Sequence, residues 1–188
     1  MIKKKSFLSK EKIKYLGSEN TFFKNFKKNN NTFFTIAVGD NYKRKKIYNN
    51  INKFKIQINW GTIIHPSASI SPLATIDQGA QILNGSIISY KTKISKHVCI
   101  NTGAIIDHHN NFHSFSSAAP GACTGGNVEV GESSFLGINC SVKHGVKIGK
   151  KVVIGGNAFV NKNCTSNSIY FGIPAKRIRK RKTEESYL

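Results

Sequence analysis

The chain is predicted to be mainly β, a parallel β-helix that follows a small, truncated α/β amino-terminal region. Three observations in its 188 residues carry that expectation. A bulky apolar residue recurs every six positions without insertion from Ile64 to Val160. Two positions earlier stands a small or β-branched residue, such as Ala68, Ala74, Ala80, Thr92, Ala104, Ala122 and Ala158. Gly, Asp, Asn or Ser often follows directly.

Residues 1–60 do not share the step. A mixed polar stretch, Glu19 to Lys28, reads as helix. An apolar run, Phe33-Phe34-Thr35-Ile36-Ala37-Val38, reads as a strand, followed by the turn Gly39-Asp40-Asn41 and a basic helical run from Tyr42 to about Phe54. That is one strand-turn-helix unit of α/β type. It is too small to hold a complete nucleotide-binding sheet.

Residues 61–165 hold the repeat. Its seventeen positions run Ile64, Ile70, Ile76, Ile82, Ile88, Ile94, Ile100, Ile106, Phe112, Ala118, Thr124, Val130, Leu136, Val142, Ile148, Ile154 and Val160, and fifteen are bulky and apolar. An α-helix would repeat its stripe every 3.6 residues, and simple strand alternation would not leave one large apolar position in six. A triangular coil does: each hexad supplies a short strand and a corner, and three hexads close a turn. The large residue fills the interior, the small partner lets the narrow core close, and the corner residues tolerate positive φ. Coils stacked in this way stabilise one another as neighbours. The tail, residues 166–188, is expected to turn away.

Twenty-nine Lys and Arg against nine Asp and Glu give a net charge of +20. Such a charge suits a polyanion. However, much of the excess lies before residue 56, as in Lys3 to Lys5 and Lys43 to Lys46, and after residue 175, as in Lys176 to Lys182, and the coil region lacks the interleaved exposed aromatic and basic residues of a nucleic-acid face. No nucleic-acid partner is expected. No window approaches the roughly 20 apolar residues of a membrane span, and Met1 to Lys5 leads into no signal-peptide core. A cytoplasmic protein without a membrane span is the expectation. Cys99, Cys123, Cys140 and Cys164 form no C-x-x-C pair, so neither zinc site nor disulfide framework is indicated.

Chemistry concentrates at Asn101-Thr102-Gly103-Ala104-Ile105-Ile106-Asp107-His108-His109. With Ile106 inside, Asp107, His108 and His109 fall at a corner on the outer surface. An outward histidine there is available as a general base near neutral pH. Taken alone it is equally an exposed polar side chain.

This run, together with Pro120-Gly121-Ala122, Gly126-Asn127-Val128-Glu129-Val130-Gly131, Phe135-Leu136-Gly137-Ile138-Asn139 and Gly172-Ile173-Pro174-Ala175-Lys176, resembles the family of sialic acid O-acetyltransferases and bacterial UDP-4-amino-sugar N-acetyltransferases. The resemblance spans roughly residues 32 to 180. It implies a left-handed winding, a homotrimer, acetyl-CoA as co-substrate in the groove between neighbouring β-helices, no metal, and a sugar acceptor. It assigns the catalytic corner to His108, with Asp107 and His109 beside it. It aligns Ser117 with a second family histidine near the acetyl group. The Gly126 N–H is similar to the group that holds the acetyl oxygen, Ile138 and Gly156 would line the pantetheine groove, and Lys176 would lie near the phosphorylated end of the cofactor. Gly39, Asp40, Asn41 and Arg44 resemble the family turn that meets the acceptor.

Two departures stand out. His109 occupies the place where the family usually has an acid, and the Gly-rich phosphate turn of the amino terminus is missing, the alignable part beginning near Phe7 to Gly17. Acetyl transfer from acetyl-CoA to the amine of a nucleotide-linked 4-amino sugar is the expected activity, with sugar O-acetylation and a catalytically degenerate scaffold as alternatives. Zinc hydration on the same prism would need a ligand two coils before His108, where Pro72 stands, and another five after His144, where Gly149 stands.

Overall fold

A computed structural model describes residues 14–26, 31–182 and 185–187, and in it the six-step becomes a three-faced parallel solenoid. Two-residue strands follow one another from Ile63–Ile64 to Phe159–Val160, and every third strand stacks on the same face. The first face stacks Ile63–Ile64, Gln81–Ile82, Cys99–Ile100, Ser117–Ala118, Phe135–Leu136 and Val153–Ile154. The second stacks Ser69–Ile70, Ile87–Ile88, Ile105–Ile106, Cys123–Thr124, Ser141–Val142 and Phe159–Val160; the third runs from Thr75–Ile76 to Lys147–Ile148. Register is strict, with Ile82 beside Ile100 and Ile88 beside Ile106.

The second residue of each strand points inward. Ile82, Ile100, Phe112, Leu136 and Ile154 are fully buried, with Ala80, Ala104, Ala122 and Cys140 closing the core beside them. Each large side chain contributes roughly 1.5–3 kcal/mol by leaving water. Backbone groups pair between coils, as in Gln81 N–H to Val98 O at 2.9 Å. Corners turn through one left-handed residue, and glycine does not always supply it: His97, His109 and Phe115 hold φ of 56°, 57° and 60°. That conformation costs about 1–2 kcal/mol for a residue with a β-carbon. Coil-to-coil bonds such as His109 N–H to Tyr90 O, 2.9 Å, hold it in place.

The amino-terminal region differs from expectation in its strand and in the length of its first helix. Phe33 to Val38 forms no strand; Phe34 makes a single parallel bridge to Trp60, and the rest is irregular, with Val38 N–H donating to Ile36 O at 2.9 Å. Among the described residues no second strand lies alongside to complete a ladder, so beyond the backbone bonds of Phe34 to Asn59 and Gly61 the segment is held largely by side chains. Phe23, Ile36, Ile51 and Trp60 form a separate apolar cluster with Phe22, Phe26, Phe34 and Phe54 around it. Helix α1 is shorter than expected, Glu19–Asn25 with Ser18 as cap, and Lys28 lies outside the described residues. Helix α2 spans Asn41–Asn52, capped by Asp40, whose carboxylate accepts from Lys43 N–H. The expected family start, Phe7 to Gly17, is outside the described residues up to position 13.

The coil also runs past residue 165. Cys164 bridges Ile148, and Ser168–Phe171 adds another parallel strand to the first face before Lys176–Lys180 returns antiparallel. Thus the tail extends the sheet before it leaves it.

The three faces differ outside. The amino-terminal region and the tail cover the first, where Gln81 Nε2 donates to Ile36 O at 2.9 Å. Outward positions of the third are polar: Thr75, Lys93, Asn111, Glu129 and Lys147. Those of the second are Ser69, Ile87, Ile105, Cys123, Ser141 and Phe159, with Ile87, Ile105 and Phe159 about two-fifths exposed at 40%, 42% and 38%.

Candidate active site

The expected site residues gather at two different corners. Between the second and third faces, Asp107, His108, His109 and Asn110 make one corner of the coil. Asp107 Oδ1 accepts from the His108 N–H at 2.7 Å, so this carboxylate caps its own corner; no hydrogen bond joins it to an imidazole among the described residues. The two rings meet instead, with His108 Nδ1 and His109 Nδ1 3.0 Å apart. One of these nitrogens must carry the proton and the other accept it.

One coil further along, Gly126 lies under the His108 ring. A β-carbon there would come 2.3 Å from His108 Cε1 and 2.5 Å from Nε2, so the requirement for glycine is steric. The Gly126 N–H donates to no partner among the described residues. His144, another coil on, has its ring centroid 6.1 Å from that of His108.

Sequence reasoning missed the clamp beneath this corner. Asn110 is 1% exposed, and its amide donates to Asp107 O at 2.6 Å, Gly125 O at 3.0 Å and Thr124 Oγ1 at 3.1 Å, while its oxygen accepts from Val128 N–H at 2.7 Å. The signal was the break in the repeat: Thr124 is a polar residue at an inward position, and it is the partner of Asn110.

The second group lies on the first face and the corner that follows it. A cavity of about 490 Å³ is lined there by Gly39, Asn101, Ser117, Ile138, Gly156 and Phe171, with tail residues Glu185 to Tyr187. Ile138 is 56% exposed, and Gly156 stacks under it with room for a β-carbon only 3.3 Å from Ile138 O. Lys176 is exposed at the start of the returning strand and is not among the residues lining the cavity.

The turn that precedes α2 serves the fold more than sequence reasoning assumed. Arg44 is 1% exposed. Its guanidinium donates to Val38 O, Gly39 O, His97 O, Asn41 Oδ1 and Ser117 Oγ, at 2.6 to 3.0 Å. A donor set spent on the protein leaves nothing for a ligand, so Arg44 fastens α2 to the prism. Ser117 is equally committed, donating to Asn41 Oδ1 at 2.6 Å. Asn41 is buried, its amide bound to Ser134 O at 2.9 Å, and Asp40 is the helix cap. Gly39 alone of the four reaches the cavity.

Burial pushes the thiols of Cys140 and Cys164 up to about 12, and all four cysteines are free. Among the described residues no group of three His, Cys, Asp or Glu could hold a metal ion, and no helix is long and apolar enough to cross a membrane.

Residues 127–162 match the family model for the bacterial transferase hexapeptide (six repeats), and that repeat makes the solenoid a left-handed β-helix. Over 71 residues the chain is 39% identical to a chloramphenicol acetyltransferase of Klebsiella aerogenes, which covers 38% of this chain. The match spans about a third, 34%, of that relative's own length. Among solved structures, PerB from Caulobacter crescentus in complex with CoA and GDP-perosamine is 30% identical, with a TM-score of 0.75 over 79% of this chain and 70% of the other. The acetyltransferase domain of PglB from Neisseria gonorrhoeae is 26% identical, with a TM-score of 0.81 over 88% and 80%.

Proposed function

The chain belongs to the hexapeptide-repeat sugar acetyltransferases, and from that membership we propose that it moves an acetyl group from acetyl-CoA to the amine of a nucleotide-linked 4-amino sugar. PerB, bound to CoA and GDP-perosamine, supports both substrate classes.

One observation carries the reading. The His108 corner and the Ile138–Gly156 corner flank the second face, the one with the apolar exterior. An exposed ladder of Ile87, Ile105 and Phe159 favours burial against copies of itself. Around a threefold axis facing that ladder, the second corner of one copy meets the first corner of the next. The assembly is therefore a homotrimer whose site is shared: His108 and Gly126 come from one subunit and the cavity of Ile138 and Gly156 from its neighbour.

In that site His108 Nε2 takes a proton from the acceptor amine as its nitrogen attacks the thioester carbonyl. The Gly126 N–H, free of partners among the described residues, meets the developing oxyanion; such oriented donors are a leading source of catalysis. Collapse breaks the carbon–sulfur bond, the thiolate leaves with the proton held by His108, and the products are the amide and CoA. For this role His108 carries its own proton on Nδ1, donating to His109 Nδ1, so the neighbour fixes the tautomer as a carboxylate would but adds no negative charge. The apolar lining of the cavity, Phe135, Ile138, Val153 and Phe171, suits an extended pantetheine arm, with Lys176 outside it toward the phosphates. Residues 1–60 form the acceptor side, and the enzyme works in the cytoplasm, where acetyl-CoA is made.

Free-thiol release from acetyl-CoA, measured for the wild type and His108→Ala with a panel of nucleotide-linked 4-amino sugars and sialic acid, tests this. Turnover that the variant loses establishes the acetyltransferase and its acceptor. A folded trimer without turnover on any sugar would instead mark a degenerate scaffold.

A further inference from the structure

The third corner of the prism, between the third face and the first, lies apart from the two corners that flank the second face, and a basic pocket of about 410 Å³ opens there. Lys46 and Lys53 of helix α2 form one wall, Ser133 and Lys151 come from successive coils, and Arg181 of the tail closes it. Lys45 also lines the pocket but is spent, paired with Glu132. No carboxylate lines it among the described residues.

Two of these side chains belong to residues only 6% exposed, Ser133 and Arg181, and both keep unused donors. The Ser133 hydroxyl has no hydrogen-bond partner among the described residues. Arg181 gives one N–H to Glu185 O at 2.8 Å and sets its guanidinium 5.0 Å from the centroid of the Tyr187 ring. Tyr187 is in turn stacked on Phe135, centroids 4.2 Å apart, and accepts from Asn41 N–H at 2.7 Å. Arg181 is therefore held in place without being neutralised. It forms no ion pair among the described residues, since Asp40 accepts from Lys43 N–H and Ser186 Oγ and Glu185 is paired with Arg179. The other N–H groups of its guanidinium have no partner among the described residues. Lys46 and Lys151 have none either, and Lys53 donates only to Asn50 Oδ1 at 3.1 Å.

Four cations from three separate elements thus converge on one concave space without a counter-charge. A buried guanidinium in that state gains most from an anion. The planar donor fork of Arg181, a hydroxyl beside it and flanking ammonium groups match the oxygens of phosphate. The volume is that of a small-molecule site and exceeds what one oxyanion fills, which favours two or three linked phosphates. Convergence on a pocket also favours a small ligand over a long polyanion, which would need basic groups strung along a face.

We propose that this pocket is a second binding site, remote from the acetyl-transfer chemistry, for a small polyphosphate such as the di- or triphosphate of a nucleotide. It does not depend on the acetyltransferase reading. A ligand there would tie α2, the corner and the tail together.

Calorimetric titration of the full chain with tripolyphosphate at low salt tests it. Saturable uptake of about one molecule per chain is expected, with a melting temperature that rises with ligand concentration. Lys46→Gln and Lys151→Gln, both surface changes that leave folding intact, should each raise Kd about tenfold, the worth of one charge-assisted hydrogen bond. Lys93→Gln, outward on the third face, and Lys176→Gln should leave it within about twofold. No saturable uptake would overturn the proposal, and so would equal weakening by Lys93→Gln, the mark of a diffuse cationic surface. Weakening confined to Lys176→Gln would overturn it by placing the phosphates beside the other cavity. A single-stranded oligonucleotide that displaces tripolyphosphate and depends equally on all four lysines would overturn it in favour of a nucleic-acid surface. Thiol release is not read in any arm, so failure of the acetyltransferase reading leaves this test unchanged.

Discussion

The imidazole of His108 rests on the α-carbon of Gly126, so closely that a methyl group there would stand 2.3 Å from His108 Cε1. In the proposed mechanism the pair links the base to the backbone N–H beside it, one coil apart. Gly126→Ala must push the ring off its seat and so misalign both devices at once. Loss of about 10²-fold in kcat is expected, since displacements near 1 Å cost that much. The melting temperature should barely move, because the ring is half exposed and can swing outward. Thiol-release kinetics paired with thermal melting check this, and a variant with normal kcat would show that the ring's seat is irrelevant to turnover.

His109 offers a second handle on the same ring. Aspartate Oδ1 hangs from its Cγ as histidine Nδ1 does, so His109→Asp keeps the 3.0 Å contact to His108 Nδ1 and adds a negative charge. Asp also tolerates the φ of 57° at this position. A neighbouring carboxylate favours protonated His108, so the acid limb of the kcat/KM profile moves to higher pH. His109→Ala, with no partner for Nδ1, should lose about tenfold or more. A pH–rate series on the three proteins decides it; identical profiles would mean that the two rings do not communicate.

Much of this was legible in the sequence because the repeat states its own geometry. A six-step with Ile82, Ile88, Ile94 and Ile100 inside fixes which residues face out, and the corner position of His108 follows from the register of Ile106. Phe33 to Val38 was misread for a physical reason: β-propensity marks a segment able to pair, and among the described residues no strand pairs with it. Arg44 was misread because a sequence cannot say whether a guanidinium faces a ligand or His97 O, Val38 O and Ser117 Oγ. Tyr187 was invisible, since its partners Asn41 and Phe135 are 146 and 52 positions away and belong to no motif.

His97 predicts an acid limit to stability. Its ring is 1% exposed among Tyr48, Trp60 and Phe115, neither ring nitrogen has a hydrogen-bond partner among the described residues, and burial, with Arg44 and Lys96 nearby, lowers its pKa from 6.5 to about 4. The unfolded chain takes up this proton below pH 6.5 and the folded one only near pH 4, so in that window the unfolded state binds more protons. Stability is unaffected above the window, falls as pH drops through it by about 3 kcal/mol, and levels off below. His97→Phe removes both the titration and an unsatisfied buried donor, worth about 1–3 kcal/mol. Urea unfolding from pH 7 to 4 should show the variant as more stable and less pH-dependent; parallel curves for the two proteins would contradict the assignment.

The outward ladder of the second face makes the strongest demand on the assembly. Ile105 is 42% exposed, between Ile87 and Cys123 in the ladder, and lies on the strand that leads directly into the Asp107–His109 corner. In an isolated chain Ile105→Glu is a surface change of about ±0.5 kcal/mol. In a trimer three carboxylates would crowd around the axis without partners, at a cost of several kcal/mol per charge. The variant should therefore keep the wild-type far-UV spectrum and elute as a monomer under light scattering. Turnover should vanish with the trimer if the proposed shared site holds, since His108 and the Ile138–Gly156 cavity occupy different corners of one chain. Mixing Ile105→Glu with His108→Ala protein at low variant excess sharpens the test: a shared site yields activity only from mixed trimers. A fully active monomer would show that one chain suffices and that the bare apolar face has another use.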